Sequence, residues 1–195
     1  MCEGEVSPCA AISAAPQYAA TPSGTRPKSL QNMFIHHPIA PVWNQDSRIL
    51  ILGSFPSVKS REQMFFYGHP QNRFWRVLSA IFEDKCPQTI EEKRTFLLYH
   101  GIAVWDVVAS CEIEGSADST MKHVSVNDLT PILDGADIRQ IYVNGKTAQK
   151  YYIKYTQPQI GREAVVLPST SPANASWGLD RLIEAWQVIG TIGGR

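Results

Sequence analysis

Four short apolar runs punctuate the chain, at residues 48–53, 102–108, 138–143 and 163–167. Apolar runs of this length are typical of strands, and the first two have the composition of strands buried on both faces. Gly53 ends the first run, and Asn144 with Gly145 ends the third. The pattern therefore predicts four strands.

Segments with apolar residues at helical spacing separate these strands. In the first of them, Phe74, Val77 and Leu78 share one face with Ile81. Gly101 is placed to end the second. The predicted helices cover residues 73–82, 90–99, 127–133, 146–155 and 179–186.

Strands that alternate with helices imply a parallel sheet with helices on both sides. We therefore predict an α/β fold, a three-layer α/β/α sandwich with a four-stranded parallel sheet. Ligands bind such sheets beyond the carboxyl ends of the strands. Two polar stretches follow strands there, at 54–71 and 110–125, and both are predicted as loops. The first is too long for an idle connection and is a functional-loop candidate.

The first thirty residues have a different composition, rich in Ala, Pro, Ser and Thr, with no strand or helix period. They contain no apolar core of the kind a secretory signal needs. Residues 1–30 are predicted to form a flexible leader. A single domain over 31–195 is expected to follow, with its folded part beginning near Phe34.

Composition excludes several classes of protein. No apolar run approaches the ~20 residues that span a bilayer, so we expect no membrane association and a cytoplasmic location. Among the four cysteines no CxxC pair occurs, so neither a metal site nor a cofactor is expected. Lys plus Arg and Asp plus Glu each total 18, which excludes a globally basic DNA-coating protein.

The charges are unevenly distributed, however. Residues 59–76 carry four basic side chains and one acidic one, and residues 139–162 carry five basic side chains and no acidic one. Residues 83–137 hold eleven acids and four basic residues. Because only local charge must match phosphate, the two basic segments favour modest, salt-sensitive binding to nucleic acid.

Three strings occur in a specific order along the chain. GSFPS at 53–57 ends the first predicted strand, GHPQNRFW at 68–75 runs into the first predicted helix, and PSTSPANA at 168–175 follows the fourth predicted strand. Together they resemble the uracil-DNA glycosylase superfamily, and within it most closely the hypoxanthine-DNA (deoxyinosine) glycosylase branch. The resemblance covers about residues 34–189. The HPxNRFW element alone does not choose the branch, since mismatch-specific glycosylases carry a similar string.

The resemblance implies a monofunctional hydrolase of the N-glycosidic bond of deoxyinosine, active in base excision repair on double- or single-stranded DNA with a deaminated base. We expect a monomer. One alternative is a glycosylase for uracil or for G:T and G:U mismatches. Another is a module that binds damaged DNA without catalysis, which the absence of the aspartate found in the superfamily's GQDPYH motif supports. Phe55 occupies that position.

Two residues are predicted to be catalytic. The resemblance assigns Asn72 to positioning the attacking water, because an amide oxygen can accept a hydrogen bond from it; a helix N-cap is a compatible role. Asp106 ends the second strand, where pyrimidine-specific relatives carry an asparagine. Its carboxylate suits the N1–H donor of hypoxanthine, or acts as a base on water, or makes only a structural bond.

The remaining candidates fall into two groups. Phe55 is expected to stack on the flipped base or to pack in the core, and a lone His69 to contact the base or to be structural. The residues expected around the base are Gly53, Ser54, Phe55, His69 and Asn144.

The second group is expected to contact DNA. The stiff loop at 168–175 resembles the family's minor-groove wedge, with a plain proline turn as the alternative, and Lys146 follows a turn suited to phosphate. The DNA-binding candidates are Ser57, Lys146, Ser169, Thr170, Ser171, Pro172 and Asn174. A loop at 115–119 resembles one of the same branch. The other histidines, His36, His37, His100 and His123, show no ligand spacing and are expected to be structural.

Overall fold

The computed structural model of the chain describes residues 33–113 and 121–193. The predicted leader, 1–30, and the loop at 115–119 lie outside these ranges. The strands are β1 Met33–His36, β2 Ile49–Gly53, β3 Ile102–Asp106, β4 Val108–Ile113, β5 Met121–Val126, β6 Gln140–Asn144 and β7 Ala164–Leu167. The helices are α1 Val58–Gln63, α2 Phe74–Ile81, α3 Ile90–Tyr99, α4 Thr130–Gly135, α5 Lys146–Tyr151, α6 Gln157–Ile160, α7 Leu179–Trp186 and α8 Gly190–Gly193.

The predicted parallel sheet is confirmed, with strand order β3-β2-β6-β7 and parallel pairing throughout. Every residue of β2 is buried, because alternate side chains enter two separate cores. Ile49 and Ile51 enter one core, while Leu50 and Leu52 enter the other. The two faces of the sheet are therefore both covered, as the unbroken apolar run predicts.

Helices α2, α3 and α7 cover the first face, with Leu78, Leu97 and Trp186 fully buried against the sheet. A capping box between Thr89 and Glu92 starts α3. The predicted helix end at Gly101 is confirmed by its left-handed backbone, φ 66°. These local signals agree with the sequence pattern, so the bounds of α2 and α3 lie within one residue of those predicted.

Helices α4 and α5 cover the second face, with Ile132 and Ala148 buried in its core, but one stretch beside it was predicted wrongly. The stretch 110–125, predicted as a loop, contains most of β4 and most of β5, which form a three-stranded antiparallel sheet with β1 in the order β1-β4-β5. The predicted strand 102–108 is in fact two strands, since β3 ends at Asp106 and β4 begins at Val108 in the other sheet. Bulges between β4 and β5 break the alternation of polar and apolar residues that marks a strand.

Three other elements differ from the prediction. The stretch 54–71 contains the short helix α1. The predicted helix 146–155 is α5 continued by a π-helical segment, Tyr152–Thr156, and then by α6. Helix α4 begins at Thr130 rather than at Asn127, whose side chain instead donates to the backbone carbonyl of Asp106 at 2.8 Å. Among the described residues, no helix combines the length and apolar character needed to cross a bilayer.

Candidate active site

A groove of about 930 Å³ opens at the carboxyl ends of the parallel strands. Its walls come from the turn after β2, the β6–α5 turn and the long segment between β7 and α7. Three predicted segments therefore meet at one place, as expected for an open parallel sheet. Seven of the predicted site residues line it, namely Ser54, Ser57, Asn144, Lys146, Ser169, Ser171 and Asn174, whereas Asn72 does not.

Asp106 lies behind this lining, at the end of β3, and is only 4% exposed. It pairs with Gly53 in the β2–β3 register. The carboxylate occupies the space that a side chain on residue 53 would fill, because a Cβ on Gly53 would lie 2.1 Å from Asp106 Oδ1. Ser54, the residue after Gly53, lines the groove. Asp106, which lies against Gly53, is therefore directly behind the groove lining.

His37 is the partner of Asp106. Its Nε2 lies 2.8 Å from Asp106 Oδ2, and its Nδ1 accepts a hydrogen bond from the backbone N–H of Ile39 at 3.2 Å. The sequence prediction that His37 is merely structural missed this contact, which joins residues 69 positions apart. No local spacing pattern could have revealed it.

Tyr67 is a second residue that the sequence analysis missed. Its hydroxyl is buried and has no hydrogen-bond partner within the described ranges, and its ring stacks on Phe74 with centroids 3.7 Å apart. Burial, and then the negative charge of Asp106, raise the pKa of this phenol, while the neighbouring side chain of Asn144 lowers it. The backbone of Tyr67 is left-handed, φ 52°, a strained conformation for a bulky residue.

Asn72 precedes α2 and is half-buried. Its Oδ1 accepts a hydrogen bond from the backbone N–H of Phe74 at 3.0 Å. The N-cap position itself is Arg73, so Asn72 bonds the first N–H of α2 from one residue before the predicted cap position. An amide oxygen has a second lone pair, and this bond therefore leaves one acceptor site for a water molecule.

Arg73 joins Asn72 to the segment between β7 and α7. Its guanidinium donates to the backbone carbonyls of Thr170, Ser171, Asn174 and Trp177. Its own backbone N–H donates to the carbonyl of Thr170 at 3.1 Å. A planar fork of donors suits such a set of carbonyls, so one side chain shapes the whole loop at 170–177.

Two of the predicted contact residues bind each other. Asn144 Nδ2 donates to Thr170 Oγ1 at 3.0 Å, and the backbone N–H of Thr170 donates to Asn144 Oδ1 at 3.0 Å. Thr170 is fully buried. Its side chain therefore holds the loop to β6, whereas Ser169, Ser171, Pro172 and Asn174 are partly exposed.

Three other predicted site residues, Phe55, Ser57 and His69, each contact another residue of the protein. Phe55 is buried in the core, edge-on to His37 with ring centroids 5.9 Å apart. Ser57 caps α1 by accepting from the N–H of Ser60. His69 Nδ1 accepts from the N–H of Gln71 at 3.1 Å. Of the three, only Ser57 lines the groove in this conformation.

Comparisons with known proteins agree on one family. The model of the uracil DNA glycosylase superfamily matches residues 40–190. A Methanosarcina acetivorans protein named hypoxanthine DNA glycosylase is 35% identical over 153 residues, which are 76% of this chain and 93% of the relative. A protein of the same name from Methanosarcina barkeri is 33% identical over 136 residues, 69% of this chain and 85% of the relative.

A solved structure supports the same assignment. The solution structure of a Methanosarcina acetivorans protein described as a candidate uracil DNA glycosylase superposes with a TM-score of 0.69 and 31% identity. The match covers 81% of this chain and 97% of that one. Family model, relatives and fold agree, and the chain belongs to the uracil DNA glycosylase superfamily.

Proposed function

We propose that this chain is a monofunctional DNA glycosylase that excises hypoxanthine from deoxyinosine. Water would add to C1′ of the sugar while the N-glycosidic bond breaks, and the products would be free hypoxanthine and an abasic site in an uncut strand. The two relatives named hypoxanthine DNA glycosylase support this substrate. The observation that carries the proposal is the meeting of two motif strings, GSFPS and PSTSPANA, at one groove at the carboxyl edge of the sheet. The third string, GHPQNRFW, does not line the groove, but its Arg73 bonds the backbone of PSTSPANA.

The groove has a suitable size for an extruded nucleotide. Its volume of about 930 Å³ is at the upper end of the range for small-molecule sites. A base inside a duplex is out of reach of the enzyme, so the nucleotide must first be flipped into such a pocket. Cleavage then proceeds through a cationic, oxocarbenium-like sugar, which positioned water and nearby negative charge stabilise.

Asn72 is the candidate for positioning the water. The hydrogen bond from the N–H of Phe74 fixes the direction of its amide, so the remaining lone pair of Oδ1 has a defined orientation. No carboxylate occupies position 55, and the Phe55 ring is buried. Hydrolysis would therefore depend on orientation of water rather than on a strong base in the first motif.

The segment 169–174 is the candidate for the wedge that enters the DNA stack. A loop can displace a base only if it is stiff, and Arg73 supplies stiffness through four backbone carbonyls. Exposed Lys146 on the rim of the groove would contact a phosphate. Ser169 and Ser171 offer hydroxyls for the flanking backbone.

The test is excision from duplexes that each carry one hypoxanthine, uracil or ethenoadenine, followed by alkali to cut abasic sites. We expect strand breaks with hypoxanthine. Breaks with uracil and none with hypoxanthine would contradict the substrate. An absence of breaks with all three, despite DNA binding, would leave the non-catalytic module as the better reading.

The role of Asn72 needs two variants, because its amide oxygen also binds the N–H of Phe74, the first residue of α2. Asn72→Ala should lose turnover and about 1 kcal/mol of stability while keeping affinity for DNA. Asn72→Ser keeps an acceptor oxygen, so it should recover the stability without the turnover. Full activity in Asn72→Ser would refute a positioning role for the amide.

A further inference from the structure

The His37–Asp106 pair is remote in sequence and belongs to none of the motif strings. Both side chains are nearly inaccessible, at 2% and 6% exposure. Burying a carboxylate is costly unless it is paired. Because this pair costs free energy to bury and lies directly behind the groove lining, we expect it to have a role in the reaction in the groove.

The hydrogen bonds define the state of the imidazole. Because Nδ1 of His37 accepts from the N–H of Ile39, it carries no proton. The ring proton is then on Nε2, which donates to Asp106 Oδ2 at 2.8 Å. The ring is neutral and the carboxylate is an acceptor, so the pair has a net charge of −1.

The surroundings hold the pair in one arrangement. Rings of Phe55, Phe66 and Trp105 lie around His37 with centroid distances of 5.9, 6.3 and 6.4 Å. They exclude water from the imidazole and lower the local dielectric, which strengthens the field of a fixed charge. Binding of Oδ2 by His37 also fixes the rotation of the carboxylate, so that Oδ1 lies over Gly53.

We propose that His37 is a positioning residue for base excision, which holds Asp106 as a fixed, buried anion behind the groove by donating Nε2–H to Oδ2. The anion stabilises the cationic sugar of the transition state through space. This inference rests on the proposed glycosylase function and adds to it a residue and an electrostatic role that lie outside the motif strings.

The test compares single-turnover excision of hypoxanthine by His37→Phe and His37→Gln. Phenylalanine fills the site without a donor, whereas the glutamine amide can replace the Nε2–H. We expect the rate of His37→Phe to fall by roughly 10- to 100-fold, somewhat less than the loss of a direct transition-state contact. His37→Gln should recover much of it, and the Kd for DNA should not change. The matched control is His36→Phe, since His36 is an exposed neighbour.

A double-mutant cycle tests whether His37 acts through Asp106. Asp106→Asn removes the charge, so adding His37→Phe to it should lower the rate no further. An additional loss equal to that of His37→Phe alone would overturn the proposal. So would a full rate in a folded His37→Phe variant.

Nitrogen-15 NMR of the wild-type protein gives a readout that does not depend on activity. We expect a neutral His37 ring with the proton on Nε2, and a doubly protonated ring or a proton on Nδ1 would overturn the arrangement. A wild-type chain that excises no hypoxanthine would sink the proposed function together with this role. An active wild type with a fully active His37→Phe would sink the role alone.

Discussion

The carboxylate of Asp106 lies where a side chain of residue 53 would be. A Cβ built on Gly53 falls 2.1 Å from Asp106 Oδ1 and 3.3 Å from the hydroxyl oxygen of Tyr67. Carbon and oxygen atoms that are not bonded do not approach to 2.1 Å. The carboxylate of Asp106 can therefore lie at the end of β2 only because residue 53 is glycine. The position of the Asp106 carboxylate behind the groove thus requires a glycine at residue 53, the first residue of GSFPS.

Gly53→Ala should accordingly displace Asp106 from its place beside His37. A shift of about 1 Å at a reacting centre can cost on the order of 10²-fold in rate, so we expect a loss of that size in single-turnover excision. Gly178→Ala is the matched control, because a Cβ there meets no atom of residues 33–113 or 121–193 within 4 Å. Equal rates for the two variants would show that the position of Asp106 does not matter.

Gly145 is constrained by both backbone and space. Its φ is 94°, and a Cβ would lie 2.7 Å from the Cβ of Ser169. Gly161 has left-handed helical backbone, φ 67° and ψ 16°, and a Cβ there meets no described residue within 4 Å. Gly145→Ala should therefore lose about 1 kcal/mol or more of unfolding free energy beyond the loss in Gly161→Ala, since the φ of 94° and ψ of 167° at Gly145 are open essentially only to glycine and its Cβ adds a clash with Ser169. Denaturant unfolding of the two variants checks this, and equal losses would contradict the close packing of the loop.

Arg73→Lys tests the stiffness of the loop at 170–177. A lysine ammonium cannot reproduce a planar fork that reaches four backbone carbonyls, and each lost bond to a charged donor costs about 1.5–3 kcal/mol. We expect lower stability and faster hydrogen exchange at the amides of Asn174 and Trp177. Arg76→Lys, at an exposed position of the same helix, is the control. Unchanged exchange in Arg73→Lys would refute the assigned restraint.

The parallel sheet was predictable because burial on both faces imposes an unbroken apolar run, as in β2. The location of the groove followed from the rule that ligands bind at the carboxyl ends of the strands. The antiparallel sheet was not predictable in this way, because β4 is bulged and its Ser110 turns inward to bond Ser125 Oγ at 2.6 Å. A polar serine at a buried strand position, such as Ser110, looks like part of a loop in the sequence.

Contacts within the site were harder to predict than its position. The partner of Asp106 is 69 residues away, and Arg73 reaches carbonyls about a hundred residues further along the chain. Such pairs depend on how the elements pack, not on local spacing. Likewise, a hydroxyl in PSTSPANA gives no sign that Thr170 is buried against Asn144 while its neighbours are partly exposed.

Tyr152 should make the protein sensitive to alkali. Burial raises the pKa of its phenol from 10.0 to about 12. The folded state therefore favours the neutral phenol, and this contribution to stability is complete below pH 10 and is lost as the pH rises towards 12. Tyr152→Phe should be less stable near neutrality by about 1 kcal/mol, since it lacks the bond to the carbonyl of Arg162. Its unfolding free energy should fall less than that of the wild type between pH 10 and pH 12. Parallel curves for the two proteins would contradict the assignment.

Lys146 tests which of the basic side chains meets DNA. It is exposed on the rim of the groove, whereas Lys154 is exposed on the π-helical segment and is not part of the lining. Each phosphate contact contributes about 0.9 to the slope of log affinity against log salt. Lys146→Gln should therefore flatten that slope by about one and weaken binding to damaged and undamaged duplexes alike.

Lys154→Gln is the control, because it carries the same change of net charge and should leave the slope as in the wild type. If the two variants flatten it equally, net charge rather than contact at the groove governs DNA binding, and the rim position of Lys146 has no special part in it.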